Sequence, residues 1–389
     1  MADVYVIGAG MVGSAMALDL AFDHRVFAAD IDEGALTTLR LRNPNIQTTP
    51  LDFSDVPALQ SWLKPADIVL CAVPGFLGLN TLKTIIEAGK NTVDISFSPE
   101  DFLPLYPLAE EKGITVIVDS GVAPGIPNYL LGLHNEQMEL DSFEYMVGGL
   151  PQNPQPPFNY KAPFSPIDVI EEYTRPARMQ VNGRILTHPA LSDIESVSFE
   201  PVGMLEAFNT DGLRSILKTM AHIPNMKEKT LRFPGHAAQM QTLSDGGFFS
   251  DQPLKIKGQS ISPLNLTAEL LFKEWELKPN EPEFTLLKIT LKGKEKGLRK
   301  SIVYSLYDEY NLETKTSSMA RTTGYTATAA INLVLNGHFT EKGLFPPELV
   351  GKDQNCTAFI LQYLKARGVT IKKKSNKQGR KGSDPSVTK

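Results

Sequence analysis

Short apolar runs separated by amphipathic stretches fill the first third of the chain. Residues 4–7, 25–29, 46–51, 68–73, 92–95 and 115–118 are mostly apolar and too short for helices. Most lack the strict alternation of a strand with one wet face, and a strand covered on both faces reads this way, as in a parallel sheet. Between them, residues 12–22, 56–63 and 77–88 carry helical spacing at lengths suited to strand-to-strand crossovers. The rhythm predicts a doubly wound α/β domain.

The texture changes after residue 125. A stretch with Pro151, Pro154, Pro156, Pro157 and Pro163 leads into Ser165-Pro166-Ile167-Asp168, which reads as a helix start with Ser at the cap and Pro in the first turn. Residues 283–291 and 300–306 alternate across a turn region at 293–297, the pattern of antiparallel strands with one wet face. Residues 319–335 are small and apolar enough for a buried helix, followed by a loop at 343–351 and a helix at 353–367. The expected architecture is a Rossmann doubly wound parallel sheet from residues 1–125 plus 318–371. Inserted into it, over 126–317, is an α+β substrate-binding and oligomerisation domain with a mostly antiparallel sheet. Residues 372–389, polar and charged, are expected to be a disordered tail. No internal repeat is evident.

Composition narrows the function classes. The 389 residues suffice for two ordinary domains. Net charge is −5, and because the last eighteen residues carry a surplus of six positive charges, the preceding body stands near −11, which argues against nucleic acid as a partner. Two cysteines, Cys71 and Cys356, form neither a disulfide framework nor a zinc spacing. The six histidines make no HxxxH or HxH pair, so no metal site is expected. With neither a basic leader nor an eighteen-residue apolar stretch, the expectation is a cytoplasmic protein with no membrane partner.

Gly8-Ala9-Gly10-Met11-Val12-Gly13 follows the first strand and opens a helix. There the first glycine makes a tight turn, the second admits a pyrophosphate to the backbone, and the third lets the helix pack closely. Asp30, at the end of the second strand, is placed to bind both hydroxyls of an adenosine ribose and to repel a 2′-phosphate, so NAD is the expected cofactor. Asp52, after the third strand, is a candidate for the adenine end or an ordinary helix cap. Ala72, Val73, Pro74 and Phe76 turn the chain at the end of the fourth strand beside the cofactor, with Cys71 read as core. Asp94 ends the fifth strand, where a carboxylate can hold an ammonium or accept its proton, or merely cap the next helix. Gly121 opens a Gly- and Pro-rich loop, residues 119–128, that forms a close-packed wall at the domain junction. Tyr160, Lys161, Arg175, Arg178, Arg214 and Arg232 supply positive charge for a carboxylate-bearing substrate.

Several of these stretches carry a resemblance: Val73-Pro74-Gly75-Phe76-Leu77-Gly78, Val93-Asp94-Ile95-Ser96-Phe97, Val122-Ala123-Pro124-Gly125, Val147-Gly148-Gly149-Leu150-Pro151, the segment from Glu172 through Arg178, Asp211-Gly212-Leu213-Arg214-Ser215, and the segment from Thr230 through His236. Together they resemble the L-lysine 6-dehydrogenases, within the saccharopine dehydrogenase-like superfamily. The resemblance implies NAD-dependent oxidation of the ε-amine of L-lysine to allysine, which closes to 1-piperideine-6-carboxylate, with release of ammonia. It also implies a homodimer or higher homo-oligomer. Within it, Asp94 is expected to hold the amine and relay its proton, and Arg214 and Arg232 to bind the α-carboxylate. The neighbouring readings are a saccharopine dehydrogenase or reductase, a carboxynorspermidine dehydrogenase-type C–N oxidoreductase, and a non-catalytic NAD-binding scaffold.

Overall fold

The computed structural model describes residues 1–163, 166–278 and 280–377. Six strands open the chain: β1 (Asp3–Ile7), β2 (Arg25–Asp30), β3 (Gln47–Pro50), β4 (Ile68–Cys71), β5 (Asn91–Asp94) and β6 (Thr115–Ile117). Then come β7 (Glu139–Pro151), β8 (Ala177–Val181), β9 (Arg184–His188), β10 (Glu195–Phe199), β11 (Gly203–Asn209), β12 (Asn225–Arg232), a small hairpin of β13 (Leu254–Ile256) and β14 (Gln259–Ile261), and β15 (Glu283–Glu295) with β16 (Leu298–Glu309). β17 (Gly343–Phe345) and β18 (Ile371–Lys377) follow.

The first sheet runs β17-β6-β5-β4-β1-β2-β3, parallel throughout. Its order reverses direction between β4 and β1, and the crevice at such a switch point is where these sheets bind ligands. The second sheet runs β10-β11-β12-β7-β15-β16-β18, with β8 and β9 beside β12. Only β7 and β12 pair in parallel, so the sheet is mixed and mostly antiparallel. This is the architecture expected from the sequence: a Rossmann-type parallel sheet plus a second domain with a largely antiparallel one.

The helix Ser318–Leu335 joins the two sheets, packing on helix Met11–Leu20 and reaching strands of both. Its small residues permit the approach: a side chain at Gly324 would stand 2.9 Å from Met16 Cγ. Buried Asp19 accepts from Thr328 Oγ1 at 2.6 Å, Tyr363 Oη at 2.8 Å and Arg367 Nε at 2.5 Å, locking the first helix to the last two long ones. Arg321 donates through Nε and Nη2, each at 3.1 Å, to buried Asp308 of β16.

Three expectations differ from what is observed. Residues 371–377 are not a disordered tail but a strand paired in register from Lys300↔Lys377 to Leu306↔Ile371. Backbone pairing to the free edge of β16 needs no apolar side chains, and lysines on an edge strand discourage further pairing. Residues 378–389, and the Ser165 cap, lie outside the described residues. The 343–351 loop contains β17, which adds to β6, and a short helix Pro347–Val350. A three-residue strand is too brief to leave a period in the sequence. The helix after β4 begins at Gly75, immediately after Pro74, and runs to Glu87. Among the described residues, no helix is long and apolar enough to cross a membrane.

Removing Asp308 leaves the Arg321 guanidinium buried without its carboxylate, a change that typically costs about 3–5 kcal/mol. Asp308→Ala is therefore expected to lower the urea midpoint clearly, and an unchanged midpoint would show that the pair does not hold the helix to the second sheet.

Candidate active site

The dinucleotide turn is built by exclusion of side chains. Gly8 has φ +97°, and a Cβ there would lie 2.5 Å from the Ala72 carbonyl oxygen; one at Gly13 would lie 2.0 Å from the Gly8 oxygen. At Gly10 a Cβ would meet nothing within 4 Å, so the middle glycine faces open space. The first amides of helix Met11–Leu20, from Met11, Val12 and Gly13, have no partners inside the helix, and no side chain caps it at Gly10. Asp30 receives Ala9 N at 2.6 Å and Asp32 N at 2.9 Å, so it shapes the turn as well as flanking it. Ala72, buried Val73, Pro74 and exposed Phe76 follow β4 on the other side of the crevice. These residues fit a dinucleotide: a backbone cradle that a Cβ would fill, a helix N-terminus for the pyrophosphate and a carboxylate for the ribose. Asp52 is exposed and accepts from Ser54 N at 2.9 Å and Ser54 Oγ at 2.7 Å, forming a local turn, and the cap of the following helix is Asp55.

At the far strand ends the junction loop is closed on itself. Gly125 has φ +136°, and a Cβ there would stand 1.9 Å from Gly121 O, so only glycine fits. Gly121 N donates to Pro124 O at 3.0 Å. Beneath this loop Asp94 has no exposed surface. It accepts from Ser96 N at 3.0 Å and Ser96 Oγ at 2.8 Å, with the Cys71 thiol also hydrogen-bonded to it. Burial pushes its pKa up to about 7, and the nearby Asp119 charge adds to the rise. Burial likewise pushes the Cys71 thiol well up, so Cys71 is core. Asp119 and Arg214, both at positive φ (54° and 48°), are bound by contacts of 3.1 and 3.0 Å, and Arg214 Nη1 also donates to Ser98 O at 2.6 Å.

Between the sheets lies a cleft lined by Phe97 and Ala123 from the strand ends of the first domain. The second domain contributes Tyr145 and Val147 of β7, Thr210, Asp211 and Gly212 after β11, and Glu228 and Thr230 of β12. Helix Pro166–Thr174 adds Glu171 and Glu172, and Arg175 follows it. Four of these side chains are carboxylates. Glu171 pairs with Arg175. Glu172 pairs with Arg232. Asp211 receives Arg178 Nη2 at 2.8 Å and Nε at 2.9 Å. Glu228 receives Thr210 Oγ1 at 2.6 Å and Gly212 N at 3.0 Å, and among the described residues it has no cation partner. Burial pushes its pKa up to about 8, with Glu172 and Asp211 adding to the rise. The Phe97 ring lies 5.4 Å from the Arg175 guanidinium and 4.9 Å from that of Arg214.

The structure therefore redistributes the expected roles. Asp94 is fully buried on Ser96 and Cys71 and is not among the residues that line the cleft. Arg214 is engaged by Asp119. Arg232 is 2% exposed, boxed by Tyr160 at 4.5 Å and Tyr173 at 5.8 Å, and occupied by Glu172. Tyr160 is buried against it, and Lys161 Nζ donates to Glu274 O at 2.8 Å. Arg214, Arg232, Tyr160 and Lys161 are not among the residues that line the cleft. Glu171, Glu172, Asp211 and Glu228 were missed by the sequence reading. Glu172 and Asp211 stand inside motifs already singled out. Glu228 shares the face of β12 with buried Met226 and Thr230, and a carboxylate in an inward register was the available signal. No group of three or more His, Cys, Asp or Glu among the described residues is arranged to hold a metal.

A parallel sheet with a dinucleotide cradle, a second sheet domain and a cleft between them define the class of two-domain, pyridine-nucleotide-binding proteins. The family models described as "Saccharopine dehydrogenase NADP binding domain" and "Saccharopine dehydrogenase C-terminal domain" match residues 4–117 and 121–369, and the chain belongs to the saccharopine dehydrogenase family. It is 27% identical over 247 residues to an alpha-aminoadipic semialdehyde synthase of Arabidopsis thaliana, a match covering 59% of this chain and 23% of the relative. It is 24% identical over 277 residues to the NADP(+), L-glutamate-forming saccharopine dehydrogenase of Saccharomyces cerevisiae, covering 67% of this chain and 61% of the relative. The chain thus spans between about a quarter and three fifths of these relatives. Among solved structures, the apo L-Glu-forming saccharopine dehydrogenase from S. cerevisiae superposes with a TM-score of 0.79 at 21% identity, covering 97% of this chain and all of that one. The homospermidine synthase of Legionella pneumophila in complex with NAD gives 0.66 at 12% identity, over 100% and 94% of the two chains. At these identities the structural likeness is one of fold.

Buried carboxyls with raised pKa carry a stability signature. Asp94 near 7, Glu228 near 8 and Glu283 near 8 keep protons in the folded chain that the unfolded chain releases near pH ~4. Their contribution to stability is complete below that pH and is lost as pH rises through the folded values. The apparent melting temperature is expected to fall between about pH 5 and 8, and Asp94→Asn to flatten part of that slope; an identical slope in the variant would remove Asp94 from this account.

Proposed function

We propose that the protein is an NAD-dependent dehydrogenase acting on a C–N bond of a small amino-acid substrate, with the ε-amine of L-lysine as the substrate. Water hydrolyses the resulting imine to allysine and ammonia, and allysine cyclises to 1-piperideine-6-carboxylate with loss of water. The observation that carries this reading is the one cleft carboxyl held without an arginine: Glu171, Glu172 and Asp211 are paired with Arg175, Arg232 and Arg178, whereas Glu228 is held by a hydroxyl and a backbone amide. A buried carboxyl with an accepting oxygen suits the amine end of lysine. Arg175 lines the same cleft, paired with Glu171, and binding a single α-carboxylate there requires it to share or exchange that partner.

A nicotinamide dinucleotide, when bound, would supply the acceptor for hydride from the carbon bearing nitrogen. The chain's own residues do the rest: Gly8 through Gly13 hold the pyrophosphate, the acids bind and orient the amine, and Phe97 with Ala123 walls the site from water. Asp30 supports NAD over NADP, because its carboxylate occupies the ground a 2′-phosphate would need. A homo-oligomer belongs to the same proposal. The second reading, a saccharopine-type dehydrogenase, is supported by the relatives of that name. It requires cations for a substrate with three carboxylates, which this cleft does not supply in number.

The deciding assay mixes purified protein with NAD and either L-lysine or saccharopine, follows reduced nicotinamide, and tests for the cyclic imine. Turnover with lysine and imine formation are expected; activity with saccharopine alone would overturn the lysine reading. Asp30→Ala is expected to weaken NAD binding at least about tenfold, the effect of roughly 1.4 kcal/mol, and to narrow the preference over NADP. Equal NAD and NADP affinities in the unmodified protein would sink the cofactor assignment.

A further inference from the structure

Glu228 stands apart from the other acids of the cleft. Glu171, Glu172 and Asp211 each face an arginine, whereas Glu228 has no cationic neighbour among its ion pairs or hydrogen bonds. Both of its hydrogen bonds fall on Oε2, from Thr210 Oγ1 and Gly212 N. Oε1 receives neither of these bonds, and Glu228 is one of the residues that line the cleft. The seat is shaped for this side chain: a Cβ at Gly212 would stand 2.7 Å from Glu228 Cδ, so only glycine admits the carboxyl there. Tyr145 Oη donates to Gly212 O at 2.6 Å and Thr210 meets Thr230 at 2.9 Å, fixing the loop that holds it.

We propose that Glu228 is the catalytic base that takes the proton from the substrate ammonium. The inference rests on the amine-substrate reading above. The N–H bond breaks as the O–H bond to Oε1 forms; the electron pair of the broken bond stays on nitrogen, leaving a neutral amine and a neutral carboxyl. That lone pair then drives hydride loss from the adjacent carbon to a nicotinamide dinucleotide. A lysine ammonium has a solution pKa near ~10.4, so an acceptor is needed well below that pH.

The charges around the site set the direction of its pH dependence. Glu172 and Arg175 on the helical side, Asp211 and its partner Arg178, Tyr145 on β7 and Arg232 on β12 are the titratable and charged neighbours. Burial, Glu172 and Asp211 keep Glu228 protonated up to about 8 in the empty cleft. The base form grows as pH rises through that value, and kcat/KM for lysine rises with it.

The test compares the full-length protein with Glu228→Gln. With NAD and L-lysine near pH 7.5, kcat/KM of the variant is expected to fall about 100-fold or more, while NAD affinity measured by fluorescence quenching is unchanged. The deficit is expected to shrink toward pH 10, where the amine sheds its proton unaided. Calorimetry of L-lysine binding to the NADH complex, in buffers of different ionisation enthalpy, reads the proton exchanged without turnover. Wild type is expected to exchange a pH-dependent fraction of a proton that the variant does not. A folded Glu228→Gln with near-normal kcat/KM, an unaltered pH profile or unaltered proton exchange overturns the proposal.

Should Glu228→Gln fail to fold, Thr210→Val decides, because it removes a donor to the charged carboxylate and leaves the carboxylate in place. The acid limb is expected to move up by about one pH unit, and an unmoved limb overturns the assignment. Wild type inert toward lysine fails at an earlier step: it sinks the lysine reading and this role with it, whereas active wild type with an indifferent variant sinks only the role of Glu228.

Discussion

A charge taken out of water must meet its counter-charge at once, and that constraint organises the space between the two sheets. Arg321 meets Asp308, Arg214 meets Asp119, and Arg232 meets Glu172 within an aromatic box. Each pair bridges separate elements, so the pairs that neutralise charge also set how the elements sit. Burying an ion costs several kcal/mol unless its partner is in place. The second domain's arginines therefore act mainly as structural ties, and the cleft between the sheets inherits the acids.

The division of labour along the cleft follows from the same constraint. At one end, Gly8, Gly10 and Gly13 clear backbone for an anion and Asp30 flanks it. At the other, the junction loop closes over Asp94 and turns Phe97 and Ala123 toward the second sheet. The dinucleotide cradle belongs to loops of the first domain, whereas most of the cleft lining belongs to side chains of the second. Asp94 then serves to hold the floor of the site, through Ser96 and the neighbouring thiol, without touching what lies above it.

The relation to saccharopine dehydrogenase gives the fold its place and leaves the substrate to the cleft. Two sheets arranged as in the yeast structure, at 21% identity, preserve a framework on which the lining can change. In this chain the lining pairs three acids with arginines and leaves the fourth to a threonine and a backbone amide. That arrangement is a property of these particular residues and not of the architecture.

What the sequence determined by itself is local in origin. The buried runs of β1 through β6, the glycines that only a tight turn would use and the acid at Asp30 are spelled by residues within about one strand-turn-helix unit of each other. The long helix Ser318–Leu335 was equally legible, because its small apolar residues persist for five turns. Only the tertiary structure decided which charges were free. Whether Arg232 meets a ligand or Glu172, whether Glu228 meets an arginine or none, and whether residues 371–377 find the edge of β16 depend on partners tens to hundreds of residues away. Hydrophobic periodicity carries no record of such pairings: it reports which face of an element is covered, not which polar group waits there to cover it.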